Sequence, residues 1–313
     1  LSPRKKHLDV RARVTREARE LFGARGYDEV ETPCLVPSPG LDVHLAAFEV
    51  STSGKSRYLH TSPEYQMKRL LADAWARGER TQRMFQITRA YREGERGERH
   101  NPEFTILEFY RAPGTMADTL RDTEQLVAKV TAGVVRLGDR TIATLPPFRR
   151  MTVAEAFATF ANVPEDEMLA LAEEDEDTFF RLLVDRVEPG LAALDFALFL
   201  THYPASQASL ARTVPGDPRY AERYELYVAG VELCNGFGEL TDAKEQRARF
   251  ERDLAERAVR GLPLYPIDER FLLALESGLP ECSGNAIGLD RLAALAAGTT
   301  NIGDVLAFTD DEL

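Results

Sequence analysis

Between Arg4 and Gly26 the apolar residues Val10, Val14, Ala18, Leu21 and Phe22 recur every three or four positions, the spacing of one helical face. Gly23 and Gly26 supply stop signals, so the pattern predicts a helix there. D-E-V-E-T-P follows as a short strand ended by Pro33, and Cys34 to Leu41 reads as a proline-rich loop. F-E-V-S-T-S-G-K-S-R-Y-L-H predicts two strands around a Ser/Gly/Lys turn. Ser62, Pro63 and Glu64 carry the chemistry of a helix start, and Met67, Leu70, Leu71 and Trp75 form the apolar stripe behind it.

Met84 to Arg92 and Phe104 to Arg111 are both strand-like, and the charged, glycine-bearing E-G-E-R-G-E-R-H-N-P between them predicts an antiparallel hairpin with a long loop. Strand side chains alternate, so Thr105, Leu107 and Phe109 share one face while Phe104, Ile106, Glu108 and Tyr110 share the other. The first face reads as core; the second, with a carboxylate among apolar groups, reads as a site. Ala117 to Leu137 and Thr152 to about Val187 have helical patterns, and the stretch at about 150–195 is expected to be a mainly helical insertion in a single domain spanning 1–313. Strands are expected at Phe196 to Tyr203 and Arg223 to Cys234, and helices at Asp242 to Arg260 and Asp268 to Ser277. C-S-G-N-A-I-G-L-D-R-L-A-A-L then predicts a strand running into a helix. Strands and helices do not alternate regularly, which indicates the α+β class: an antiparallel sheet flanked by helices.

Composition narrows the function. The 313 residues are 44% hydrophobic and 29% charged, an ordinary globular balance. No apolar run is long enough to span a bilayer, and L-S-P-R-K-K-H lacks the apolar block of a signal peptide, so a cytoplasmic protein without membrane contact is expected. Cys34, Cys234 and Cys282 are odd in number and far apart, which indicates neither a disulfide framework nor a zinc site. A formal charge of -12 argues against broad phosphate-backbone binding, though not against a local basic patch.

Glu64, Glu108, Glu232 and Glu239 stand among apolar or small neighbours, and a buried carboxylate is costly unless a cation or donors satisfy it. Their convergence would suit an ammonium ligand or a metal. Asn235, beside glycine in E-L-C-N-G-F-G-E-L, has the amide to orient a ligand. Against these stand Arg92, His100 and Arg291, which suit a polyphosphate, with Phe104 available to stack on a base. Each residue alone is a common surface or core residue; only the combination points to a site. S-G-K-S at Ser53 to Ser56 is no P-loop, since Glu49 holds the earlier glycine position and no long helix follows.

Over nearly the whole chain these segments resemble the catalytic core of class II aminoacyl-tRNA synthetases, lysyl branch. E-V-E-T-P is similar to motif 1, R-A-Y-R-E-G-E with R-H-N-P-E-F-T-I-L-E-F-Y to motif 2, and G-L-D-R to motif 3. T-S-P-E-Y-Q-M-K-R, H-Y-P-A-S-Q-A-S-L-A and C-S-G-N-A-I-G-L-D-R resemble the elongation factor P lysine ligase family, in which Ser62 and Ala286 stand where the synthetases have alanine and glycine.

The resemblance implies ATP and Mg²⁺ as cofactors, and (R)-β-lysine or lysine as the activated amino acid. It implies elongation factor P as the protein substrate and a homodimer. It assigns Arg92 to the α-phosphate, His100 with Asn101 to the nucleotide's phosphate end, Phe104 and Arg291 to adenine, and Glu232, with Glu239, to the metal. Arg92 and Arg291 would be the catalytic pair. Ser62, Glu64, Glu108, Tyr110, Asn235, Glu239 and Ala286 would form the amino-acid pocket. Gly94 stands where motif 2 normally has glutamate, so Glu93 or Glu95 is expected to replace that adenine contact. The segment from Ala72 to Gln82 is longer than in the family and has no assigned role. Two rivals follow from the same fold: a truncated lysyl-tRNA synthetase-like enzyme charging tRNA, and a non-catalytic amino-acid-binding regulator. The acidic balance and the lack of an anticodon-binding barrel in this sequence argue against the first; Gly94 is the best support for the second.

Overall fold

The structure, a computed structural model, describes residues 3–52 and 54–313. Leu1, Ser2 and Ser53 of the segments discussed above lie outside them. The main sheet contains β1 (Asp28–Glu29), β2 (Gln82–Tyr91), β3 (Glu103–Ala112), β4 (Arg149–Thr152), β5 (Leu198–Pro204), β6 (Asp217–Val228), β7 (Val231–Gly238) and β8 (Ser283–Gly288). Their spatial order is β1-β2-β3-β8-β7-β6-β5-β4. From β2 to β5 every pairing is antiparallel, while β1 and β4 join the two edges in parallel. This is the α+β arrangement expected from the irregular succession of elements.

One sheet face is the core. Leu107, Phe109, Leu226, Cys234 and Ile287 point into it against Val14, Ala18 and Phe22 of helix α1 (Pro3–Ala24). Helix α3 (Met116–Thr131), which follows α2 (Glu64–Ala76), packs there with Leu120, Leu126 and Val127. The opposite face is roofed at one end by a second cluster, from Tyr65 and Met67 of α2, Phe250 of α4 (Ala243–Val259), and Phe271 of α5 (Glu269–Glu276). Between 153 and 192 several short helices bury Val153, Phe157, Phe179 and Val187 against Leu198 and Leu200 of β5. The predicted helical stretch ending near Val187 thus runs on, in pieces, to Ala192.

Several expectations need correction. The helix predicted to Leu137 stops at Thr131, because Ala132 and Gly133 take left-handed conformations (φ 53° and 79°), and Val134–Leu137 then pairs with Arg140–Ala143. The single strand predicted over Arg223 to Cys234 is two, β6 and β7, joined at Ala229 and Gly230, both with positive φ as a tight hairpin turn requires. Leu70, placed on the buried stripe of α2, is 38% exposed. The strand in D-E-V-E-T-P is only Asp28–Glu29, and the loop after it lends Leu35–Val36 to a small sheet with Glu49–Thr52 and Lys55–Leu59. The segment from Ala72 to Gln82 ends α2, turns at Gly78 and enters β2.

Candidate active site

The site is written across the sheet. Glu108 of β3 pairs with Ala286 of β8, Ala286 with Asn235 of β7, and Asn235 with Glu225 of β6, giving one row over four strands. The next row runs Tyr110, Gly284, Phe237 and Arg223. A Cβ on Gly284 would fall 2.2 Å from the Tyr110 ring and 2.6 Å from Glu239 Oε1, so glycine makes the room those groups occupy. On β7 the register passes from Leu226–Cys234 to Tyr227–Glu232, leaving Leu233 as an extra residue. Such a bulge reverses the alternation. Glu232 and Asn235, three apart, therefore both line the cavity, and Cys234, which touches its wall, packs into the core.

That cavity, of about 530 Å³, is lined by Arg92, Glu95, His100, Asn101, Phe104, Glu232, Asn235, Ala286 and Arg291 among others. Arg291 opens helix α6 (Leu289–Ala297) and donates to the Glu232 carbonyl (2.9 Å), the Arg99 carbonyl (3.2 Å) and His100 Nε2 (2.8 Å). Burial and the Arg291 charge hold the His100 imidazole below its usual range. Phe104, expected with Arg291 to sandwich adenine, has the Arg92 guanidinium over its ring, 5.0 Å from the centroid. Asn101 does not point free: its Nδ2 donates to the Glu103 carbonyl and its Oδ1 accepts from the Asp310 amide. Gly94 has φ 84°, a conformation glutamate adopts only with strain, and nothing lies within 4 Å of its missing Cβ. The turn brings Glu95, not Glu93, back to Arg92 at 3.4 Å.

Glu232 keeps 40% of its side chain open. Its carboxyl is nonetheless pushed up, by enclosure first and by Glu225 second, against the pull of Arg291 and Arg223. Glu225 is a functional candidate that sequence reasoning missed; it is buried and accepts from Tyr203, Tyr227 and Arg223. Two neighbouring carboxylates, one of them half-open to the cavity, have the donor chemistry for a divalent cation. Among the described residues no cluster of three or more His, Cys, Asp or Glu has metal-site geometry.

Ser62, Glu64, Glu108, Tyr110 and Glu239 do not line the cavity; Glu108 and Tyr110 stand next along the rows from Ala286 and Gly284, and Ser62 and Glu64 come from the start of α2. Glu108 is 1% exposed and accepts from Tyr110 Oη (2.6 Å) and Ser62 Oγ (2.9 Å). Burial, then the neighbouring Glu64, raises its carboxyl to about 8. Ser62, predicted as a capping hydroxyl, accepts from the Glu64 amide while it serves Glu108. The second missed residue is Lys68, whose Nζ stands 2.5 Å from both Glu64 Oε1 and Glu239 Oε2. Burial works against its charge, and Glu239 and Glu64 more than reverse that, holding the ammonium above the usual lysine range. Burial pushes the Glu239 carboxyl up to about 7 despite Lys68. The structure thus gives Glu239 and Glu232 different partners: Glu239 stands against the protein's own Lys68 ammonium, and Glu232 lies near Arg291 at 3.6 Å.

Cys34, Cys234 and Cys282 are unpaired, and no helix among the described residues is long and apolar enough to cross a membrane. The chain matches the family model for tRNA synthetases class II (D, K and N) over residues 2–312. It is 43% identical over 319 residues to the elongation factor P–(R)-β-lysine ligase of Klebsiella pneumoniae (strain 342), covering 97% of this chain and 95% of that one. Proteins of the same name from Proteus mirabilis (strain HI4320) and Salmonella paratyphi B are 43% and 42% identical, over 96% and 97% of this chain and 94% and 95% of theirs.

Proposed function

The chain belongs to the class II tRNA synthetase family, and from that premise we propose that it activates (R)-β-lysine with ATP and transfers it to a lysine side chain of elongation factor P. The observation that carries this reading is the row Glu108, Ala286, Asn235, Glu225. Adjacent strands are about 4.8 Å apart, so the row spans roughly 14 Å, with a carboxylate fit for an ammonium at one end and Glu225, beside the half-open Glu232, at the other. The small Ala286 between them leaves the floor on which an amino acid would lie.

In the first step the amino-acid carboxylate oxygen attacks the α-phosphorus of ATP, a new O–P bond forms, and the α–β bridge breaks to release pyrophosphate. Arg92 meets the charge that develops on the α-phosphoryl oxygens, and His100 and Arg291 hold the outer nucleotide groups after giving up their present contacts. Glu232 with Glu225 would hold Mg²⁺, which neutralises phosphate charge when bound. Glu64 and Glu108 receive the backbone-side ammonium, and Tyr110, Asn235 and Glu239 orient the chain and its terminal ammonium. In the second step a lysine ε-amine attacks the adenylate carbonyl; an amide forms, AMP leaves, and the amine loses its proton. Positioning supplies most of the rate, because the mixed anhydride is already activated. These substrates put the reaction in the cytoplasm, and the motif 1 resemblance of E-V-E-T-P supports a homodimer, which sedimentation would test.

ATP–pyrophosphate exchange is expected to be fastest with (R)-β-lysine, and labelled amino acid to appear on elongation factor P. Exchange with no amino acid would overturn both enzyme readings in favour of a regulator. Label on tRNA alone would favour the synthetase-like alternative.

A further inference from the structure

We propose that Lys68 is a positioning residue of the amino-acid pocket: its ammonium, clamped between Glu64 and Glu239, holds both carboxylates aimed and sets the pocket's charge balance for a ligand carrying two ammonium groups. The inference rests on the reading of this site as one for a lysine isomer.

Lys68 is fully buried, with Nζ 2.5 Å from an oxygen of each carboxylate. Its position four residues after Glu64 puts both side chains on one face of α2, while Glu239 comes from the far side, just beyond β7. The Phe271 ring of α5 lies 5.9 Å from the ammonium and helps exclude water. Stability alone gives little reason to keep such a group, because a buried ion triad is often replaceable by apolar side chains at no loss. A ligand does give a reason. Glu64 and Glu239 flank one ammonium and Glu108 stands beside Glu64; with Glu108 ionised, as a bound ammonium would favour, three carboxylates share one internal ammonium and leave two negative charges, the number that a diammonium amino acid neutralises. Arg212, the next cation acting on Glu239, is already engaged by Glu222 and Glu281.

The clamp also leaves acceptors unused. Lys68 takes only one oxygen of each partner. Both Glu239 oxygens are buried without a hydrogen bond of good geometry among the described residues; Oε2 has the Lys68 ion pair, whereas Oε1 lies beside Gly284, whose lack of a side chain makes room for it and for the Tyr110 ring. A ligand ammonium reaching that oxygen would find a carboxylate held from behind by Lys68. The protein's ammonium and the ligand's then bind opposite oxygens of the same group, and neither displaces the other.

The test compares the full-length wild type with Lys68→Met and Lys68→Arg in ATP–pyrophosphate exchange with (R)-β-lysine. The methionine variant is expected to raise the KM for the amino acid about tenfold or more, with the KM for ATP unchanged within about twofold, and Lys68→Arg to restore part of the loss. An unchanged or lower amino-acid KM in Lys68→Met would overturn the proposal, the lower value showing that Lys68 merely occupies the ligand's place. Equal losses toward ATP and amino acid would show a structural role only and overturn it too. If the methionine variant does not fold, ¹⁵N spectra of wild-type lysine ammonium groups decide. The Lys68 signal should persist when (R)-β-lysine saturates the site, and its loss on binding would overturn the proposal. Absence of exchange by the wild type with any lysine isomer would instead refute the functional reading on which this rests.

Discussion

The two halves of the site are built in opposite ways. The phosphate half draws its cations from loop and element ends: Arg92 follows β2, His100 sits in the hairpin loop, and Arg291 opens α6. These side chains are partly open: Arg291 spends donors on two backbone carbonyls and on His100, and Arg92 meets the Glu95 carboxylate at 3.4 Å, contacts that a ligand can replace. The amine half is set within strands and the first turns of α2, and Glu108, Glu239 and Lys68 are all but sealed from water. Hydroxyls serve Glu108 and an internal ammonium pairs with Glu64 and Glu239, leaving Glu239 Oε1 as a spare acceptor. A polyanion is thus met by cations free to converge on it, whereas an ammonium is met by a prebuilt socket, since a buried carboxylate cannot wait unpartnered. Changes in the first half should fall on the chemical step; changes in the second should fall on amino-acid binding.

The largest expected effect breaks the first half. Arg92→Ala should lower kcat for pyrophosphate exchange by about 10²–10³, the usual cost of one donor aimed at transition-state charge. A loss confined to the KM for ATP would move Arg92 out of that role. Next, Glu108→Gln should raise the amino-acid KM about a hundredfold while leaving the KM for ATP alone, since it removes a buried charge partner of the ammonium. Glu108 also gives a pH signature. Its folded value, about 8, lies above the ordinary 4.5, so the folded protein holds this proton more tightly than the unfolded chain. The stability it contributes is full below about pH 4.5 and is lost as pH rises through 8. Ligand-free Tm should fall over that window, less so in Glu108→Gln, and amino-acid affinity should rise over it as the carboxylate forms. A variant with an unaltered Tm profile would show that Glu108 does not titrate there.

Much of this contrast was legible in the sequence. The alternation in F-T-I-L-E-F-Y placed Leu107 and Phe109 in the core and Glu108 and Tyr110 on the site face, because one face of a strand needs only a period of two. Lys68 was not legible: its local signal, a carboxylate four residues before it, is also that of any exposed helix pair, and only the fold brings Glu239 to its other side. Glu225 was hidden by the bulge at Leu233, since no residue type announces a register shift that aligns Glu232 with its neighbour's face. Ala132 and Ala229 hid two turns, taking positive φ without the glycine that usually signals it.

Smaller effects sharpen the halves. Glu95→Gln should raise the KM for ATP about tenfold if Glu95 has taken over the adenine-side contact, and Glu93→Gln should leave it unchanged, because Glu93 stays outside the cavity. Equal effects of the two would show that the turn at Gly94 selects neither. Restoring the family's residue with Gly94→Glu should weaken ATP binding, since a side chain at φ 84° costs about 1 kcal/mol before it makes any contact.

The smallest effect lies at the join. Ala286 sits between Glu108 and Asn235, half-buried, and its methyl is the only side-chain volume at that point of the row. An α-amino acid carries its ammonium one carbon nearer the carboxylate than a β-amino acid does, so the two isomers place different atoms over this methyl. Ala286→Gly should shift the ratio of kcat/KM toward α-lysine by about tenfold at most, the scale of one methyl in a packed pocket. Glycine in a strand costs about 0.5–1 kcal/mol, too little to unfold the domain, so the ratio can be read on folded enzyme. If the ratio stays fixed while Glu108→Gln abolishes discrimination, isomer choice belongs to the prebuilt carboxylates and not to the floor between the halves.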